Sequence, residues 1–168
     1  RAVVEARRSS PDLQLLIVGT GPDRAELDAL VEELDAADYV SFAGRVEDDE
    51  LVAIYRRAWL VASASVREGW GMTLTEAAAC GTPAVATRIP GHVDAMAEGQ
   101  TGFLADSPAD LGRQIARVAT DPALRARLST GALEFAGGFT WMNTATRILE
   151  TLADEALGRP SLRAGHPR

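Results

Sequence analysis

Two glutamates and the glycines between them are the residues of this chain whose types and spacing could do chemistry. The stretch Arg67-Glu68-Gly69-Trp70-Gly71-Met72-Thr73-Leu74-Thr75-Glu76 follows an apolar run at 59–65 and leads into Ala77-Ala78-Ala79-Cys80-Gly81-Thr82-Pro83. The order reads as strand, glycine loop, helix N-terminus. At such a start the backbone amides of Met72, Thr73 and Leu74 are expected to be free donors, and Gly69 and Gly71 let a ligand come close to the main chain. A helix start of this kind attracts anions, phosphate above all. Glu68 and Glu76 repel phosphate, but both can accept hydrogen bonds from hydroxyls such as those of a ribose or a hexose. The stretch therefore suits a sugar nucleotide.

Other reactive residues carry less. Gly19 and Gly21 open like a dinucleotide fingerprint, but Arg24 stands where the third glycine belongs, which weakens a nicotinamide or flavin reading. Asp48-Asp49-Glu50 could suggest a metal cluster, yet acids crowd the first turn of a helix for dipole reasons alone. With two histidines, His92 and His166, and one cysteine, the sequence contains no visible ligand cluster. Cys80 reads as a small packed residue.

The elements that must position these groups alternate. Residues 1–10 read as the end of a helix and 13–18 as a strand covered on both faces. Asp23 and Glu26 resemble a capping box for a helix carrying Leu27, Leu30, Val31 and Leu34 on one face. Strands follow at 39–43, 59–65, 82–87 and 102–105. The helix after 39–43 is capped by Asp48 and buries Leu51, Ile54, Tyr55 and Ala58. A short helix is expected at 93–97, another starting at Asp106-Ser107-Pro108, and two more over 122–136 and 141–157. Strand and helix at these spacings predict an α/β fold, a Rossmann-like parallel sheet flanked by helices. Ligands of such sheets bind beyond the carboxyl ends of the strands, where Thr20, Arg45 and Glu68 all fall.

Composition agrees with one domain, residues 1–157, followed by a tail at 158–168 expected to be disordered. The net charge of −7 argues against a nucleic-acid footprint. All 17 basic residues are arginine. No stretch is long and apolar enough to span a membrane, so no membrane association is encoded here, and the expected location is cytoplasmic. The chain opens on Arg-Ala-Val-Val, which reads as a piece of something longer.

The pattern E-G-W-G-x-x-x-x-E, followed by A-C-G-T-P-A-V-A, resembles the retaining glycosyltransferases of family 4, which have the GT-B fold. The similarity runs from Leu15 to about Trp141 and includes I-V-G-T-G-P at 17–22, F-A-G-R-V at 42–46, G-Q-T-G-F-L at 99–104 and F-T-W at 139–141. It implies that this is the C-terminal, donor-binding half of a GT-B enzyme, moving a hexosyl group from a nucleotide-diphosphate sugar to an acceptor hydroxyl with retention. Glu76 matches the glutamate that binds the ribose hydroxyls, and Glu68 the one beside the transferred sugar. Gly69, Trp70, Gly71, Met72, Thr73 and Leu74 form the donor loop. Gly19 and Gly21 lie beside the donor site, and Arg45 and Val46 match the loop by the base. The resemblance implies no cofactor and no bound metal.

Two departures stand out. Pro90-Gly91-His92-Val93-Asp94 occupies the place of a double glycine and a glutamate. The arginine and Lys-Gly pair that hold the diphosphate in the family have no counterpart, nor does the N-terminal acceptor-binding domain, which would lie in the parent protein or a separate chain. Without leaving-group charge stabilisation, commonly worth about a hundredfold or more, the isolated chain is expected to be inactive or nearly so. The alternatives are a non-catalytic nucleotide-sugar-binding module that needs a partner chain, a Rossmann oxidoreductase or epimerase fragment, or a degenerate fragment that binds nothing.

Overall fold

Alanine and valine at 84–86 are small enough to be covered on both sides, and the core is centred there. The structure, a computed structural model, describes residues 1–159. Strand β4 (Ala84–Thr87) lies between β3 (Val61–Ser63) and β5 (Gly102–Ala105), all parallel, with Val61 opposite Ala84 and Ala84 opposite Gly102. Alternate residues of these strands face opposite ways. Val85, Phe103 and Ala105 join a cluster with Ala6, Leu111, Ile115, Val118 and Leu128. On the other face Ala84, Ala86 and Leu104 meet Leu74, Ala95 and Met96. Helices α1 (Ala2–Arg7), α6 (Pro108–Thr120) and α7 (Pro122–Ala136) thus cover one face; α4 (Met72–Ala79) and α5 (Pro90–Ala95) cover the other. Gly102 is required where β5 begins: its φ is +156°, and a methyl group there would run into the Ala84 carbonyl.

A second parallel pair, β1 (Leu15–Val18) with β2 (Val40–Gly44), forms its own two-stranded sheet, with α2 (Arg24–Glu33) and α3 (Asp48–Arg57) as its helices. Every pairing is parallel and helices flank both sheets, as the Rossmann-like reading expects, and β1 and β3 are not hydrogen-bonded to each other. The β1 reading changes. Leu16 is 41% exposed, so the strand is not covered on both faces. Its helix offers little cover, since α2 buries no residue and Leu27 of its apolar face is exposed.

Several boundaries move for local reasons. Asp23 precedes α2 with φ −82° and ψ 9°, not the extended geometry of a capping residue, and its side chain caps nothing. Arg24 instead pairs with Asp28 at 2.9 Å and lies over the Phe42 ring. Asp48 is the first helical residue of α3 rather than its cap, which is Glu47. Helix α5 starts at Pro90, three residues before the expected 93, because a proline is accepted where its missing N–H is not needed. The later starts form as expected: Ser107, Asp121 and Thr140 cap α6, α7 and α8 (Trp141–Ala156) through their side chains. Gly158, at φ +63°, ends α8 by donating its N–H to the Glu155 carbonyl. Of the tail at 158–168 expected to be disordered, residues 160–168 lie outside the described residues. No described helix is long and apolar enough to cross a membrane.

Candidate functional site: the glycine loop and its two glutamates

Strand β3 is short because its apolar run gives way to Ser63 and Ser65, and the chain leaves the sheet towards Glu68. The loop then turns back at Gly71, whose N–H donates to the Gly91 carbonyl at 3.2 Å, before α4 begins. Gly71 is buried and has no room for a side chain, since a methyl group would sit 2.8 Å from a Leu74 methyl. Gly69 by contrast is open, with nothing within 4 Å of where a Cβ would stand. The three amides expected to be free are not equivalent. Met72 donates to the Trp70 carbonyl and Leu74 to the Gly71 carbonyl, both at 2.9 Å, which corrects the reading for those two. A tight turn brings those carbonyls within reach. The Thr73 N–H has no backbone acceptor among the described residues, so one helix-start donor remains for a ligand.

Glu76 lies one turn into α4, exposed, with one carboxylate oxygen accepting from the Tyr55 hydroxyl at 3.0 Å. Tyr55 is 6% exposed on α3, and its carbonyl accepts from Thr82 at 2.6 Å. Burial, with the Glu76 carboxylate beside it, pushes the Tyr55 hydroxyl well up, so it stays a donor. Glu76 also lines a cleft with Trp70, Met72, Thr75, Ala79 and Phe139. Trp70 and Phe139 meet edge to face at 5.8 Å, which gives the F-T-W motif a position at the cleft wall. Glu68 accepts from the Ser65 hydroxyl at 2.8 Å and is otherwise exposed.

The other predicted residues form a second group. Gly19, at φ +118°, donates its N–H to the Gly44 carbonyl at 2.7 Å, so the loops after β1 and β2 lie side by side. Gly44 also has a positive φ, +68°, a requirement that its sequence neighbourhood does not announce. Gly21 and Arg45 are exposed and Val46 is half-buried. No hydrogen bond joins Gly19, Gly21, Arg45 or Val46 to the 68–76 loop among the described residues; the link between the groups is α3, through Tyr55. Asp48, Asp49 and Glu50 occupy the first turn of α3, and no group of three His, Cys, Asp or Glu side chains among the described residues could hold a metal ion. Tyr55, Ser65, His92 and Phe139 were missed as site residues. Tyr55 carried a signal only for burial, at i+4 from Leu51.

The geometry has relatives. Residues 1–135 match the family of glycosyl transferases group 1. The chain is 36% identical over 165 residues to a D-inositol 3-phosphate glycosyltransferase of Stackebrandtia nassauensis, covering 92% of this chain and 37% of the relative. It is 38% identical over 167 residues to the protein of that name from Acidothermus cellulolyticus, with the same coverages of 92% and 37%. The chain thus spans little more than a third of the length of these relatives. Among solved structures, the pneumococcal O-GlcNAc transferase GtfA, in complex with UDP and GlcNAc, superposes with a TM-score of 0.75 at 27% identity, over 88% of this chain and 32% of that one. The chain belongs to the group 1 glycosyl transferases, with the GT-B type of fold.

Proposed function

We propose that this chain binds the nucleotide-diphosphate-sugar donor of a retaining glycosyltransferase that passes a hexosyl group to an acceptor hydroxyl. One observation carries the reading: Glu76 accepts from Tyr55 through one oxygen and lines a cleft with Trp70 and Phe139, three residues after the Thr73 amide that no backbone carbonyl takes. A fixed carboxylate suits ribose hydroxyls, and a free helix-start donor suits a phosphate oxygen. The UDP in the GtfA complex supports the same class of ligand. Gly69, Trp70, Gly71, Met72 and Leu74 shape the donor loop, and Gly19, Gly21, Arg45 and Val46 are assigned to the side of the base. Family membership leaves the oxidoreductase or epimerase alternative without support.

In the proposed reaction the bond from the anomeric carbon to the diphosphate oxygen breaks, and a bond from that carbon to the acceptor oxygen forms on the same face. The leaving phosphate takes the acceptor proton, so no protein nucleophile is called for, and Glu68 acts by accepting hydrogen bonds from the transferred sugar. The transfer is proposed to need neither metal nor cofactor. The diphosphate charge falls to an arginine and a Lys-Gly pair upstream of β1 in the parent protein, and the orientation of the acceptor to an N-terminal acceptor-binding domain, in the parent protein or a separate chain. The chain alone is therefore proposed to bind without measurable turnover.

The test is calorimetric titration of the purified chain with UDP, GDP, ADP and NAD in buffer containing EDTA, with Glu76→Ala in parallel. One nucleoside diphosphate should bind, and the variant should weaken it at least about tenfold, as expected for losing charge-assisted hydrogen bonds. Binding of NAD alone, or diphosphate binding unchanged in the variant, would overturn the proposal.

A further inference from the structure

Behind the glycine loop lies a buried histidine that the proposed reaction does not use. His92 is 1% exposed, in the first turn of α5. An imidazole taken out of water is tolerated only when both ring nitrogens are partnered, and here both are. Nδ1 lies 2.8 Å from the Thr87 carbonyl and Nε2 lies 3.1 Å from the Ser63 hydroxyl. A carbonyl can only accept, so Nδ1 carries the proton. The Thr87 hydroxyl cannot supply one to that nitrogen, because it donates to the Ser65 carbonyl at 2.5 Å. In the neutral ring Nε2 is then bare and accepts from Ser63. The Ser65 hydroxyl, 3.4 Å from Ser63, spends its own hydrogen on Glu68.

These partners sit at the carboxyl ends of two neighbouring strands, Ser63 ending β3 and Thr87 ending β4. The ring edge also packs on the loop: a methyl group on Gly71 would lie 3.1 Å from its Cδ2. Next to it, Gly91 lies so close to Glu68 that a Cβ would be 2.5 Å from the Glu68 carbonyl oxygen. The Gly91 carbonyl in turn takes the Gly71 N–H. A phenyl ring could fill the same volume, but it would leave the Ser63 hydroxyl and the Thr87 carbonyl without this partner.

We propose that His92, as the neutral Nδ1–H tautomer, is a positioning residue for the sugar end of the donor site. It fixes Thr87 and Ser63, Thr87 fixes Ser65, and Ser65 directs the Glu68 carboxylate, while Gly91 holds the Glu68–Gly71 main chain against the same helix. This inference rests on the donor-binding reading for its consequence in binding, but not for its structural content.

The test uses the whole chain, labelled with ¹⁵N. The ring nitrogen shifts of His92 should show Nδ1 protonated and Nε2 bare. In His92→Phe the Gly71 amide should exchange about tenfold faster, the cost of losing roughly one anchoring hydrogen bond, while the Val85 amide in the core should not change. His92→Asn, whose side-chain amide can still donate to Thr87, should restore most of the Gly71 protection. Titration with UDP and UDP-glucose then asks whether His92→Phe removes any extra affinity due to the sugar while leaving UDP within about twofold. A proton on Nε2, or Gly71 and Val85 accelerated alike, overturns the proposal. If the unsubstituted chain binds neither nucleotide, the donor reading is what fails, and the tautomer and exchange results still decide the role of His92.

Discussion

In the proposed donor site a carboxylate that accepts from ribose hydroxyls gains from being held still, and the Tyr55 hydroxyl donates to Glu76. The phenol reaches across from α3 at 3.0 Å, anchored by its own burial and by Thr82 on its carbonyl. Because burial raises the hydroxyl far above neutrality, the bond does not come and go in the physiological range. Removing only the oxygen, in Tyr55→Phe, keeps the packing and frees Glu76 to rotate. Nucleoside diphosphate affinity should fall about three- to tenfold, the value of roughly one hydrogen bond, with the thermal midpoint changed by only a few degrees. Calorimetry beside a thermal melt separates the two. The glutamates stood out in the sequence through the family pattern they resemble, since position alone reads Glu76 as an ordinary acid near the start of a helix. Tyr55 did not, because its spacing from Leu51 and Ala58 already explained it as a core residue. Partners that act across 21 positions leave no local pattern.

At the scale of the element, the chain's alternation shows where periodicity speaks and where it is silent. Helix α6 starts where Asp106-Ser107-Pro108 announces it, and α7 spans the expected 122–136. The break between β1 and β3 had no such signal, because an apolar run looks the same whether one edge or two are paired. The start of α6 also carries a pH dependence. Asp110 accepts from the Asp106 N–H and from Arg113, both at 3.1 Å, and these hold its carboxyl below the usual range, the backbone bond foremost. A carboxyl whose folded value is depressed stabilises the fold above its unfolded value and loses that contribution as pH falls through the folded one. Asp110→Asn should therefore lower the thermal midpoint at neutral pH by a constant amount, and the difference from the parent should close only below the ordinary carboxylate range. Parallel melts from pH 7 to pH 3 would check it; a gap that widened in acid would contradict the assignment.

For the whole molecule, the two apolar clusters around β4 hold most of the fully buried side chains, and α8 contributes to neither. Its 16 residues bury nothing, and Trp141, Met142, Leu149 and Leu152 are each more than half exposed. What holds the helix is local: Thr140 caps its first turn, Asn143 reaches back to the Gly138 carbonyl at 2.9 Å, and Gly158 closes its end. Caps of this kind contribute about 1 kcal/mol each, which is enough to stop and start a helix but not to stabilise a domain. A helix of this length is marginal in water without tertiary packing. A helix over 141–157 was expected from the sequence, whereas its lack of cover was not, since periodicity says which face is apolar and nothing about what meets it. Deleting residues 141–168 should then shift the thermal midpoint by no more than about 3 °C, because unfolding of the remainder exposes nearly the same buried surface. The urea slope should be almost unchanged for the same reason, while helical ellipticity falls by the share of α8. A drop of more than about 8 °C would mean that α8 contributes to the core, contrary to its exposed face.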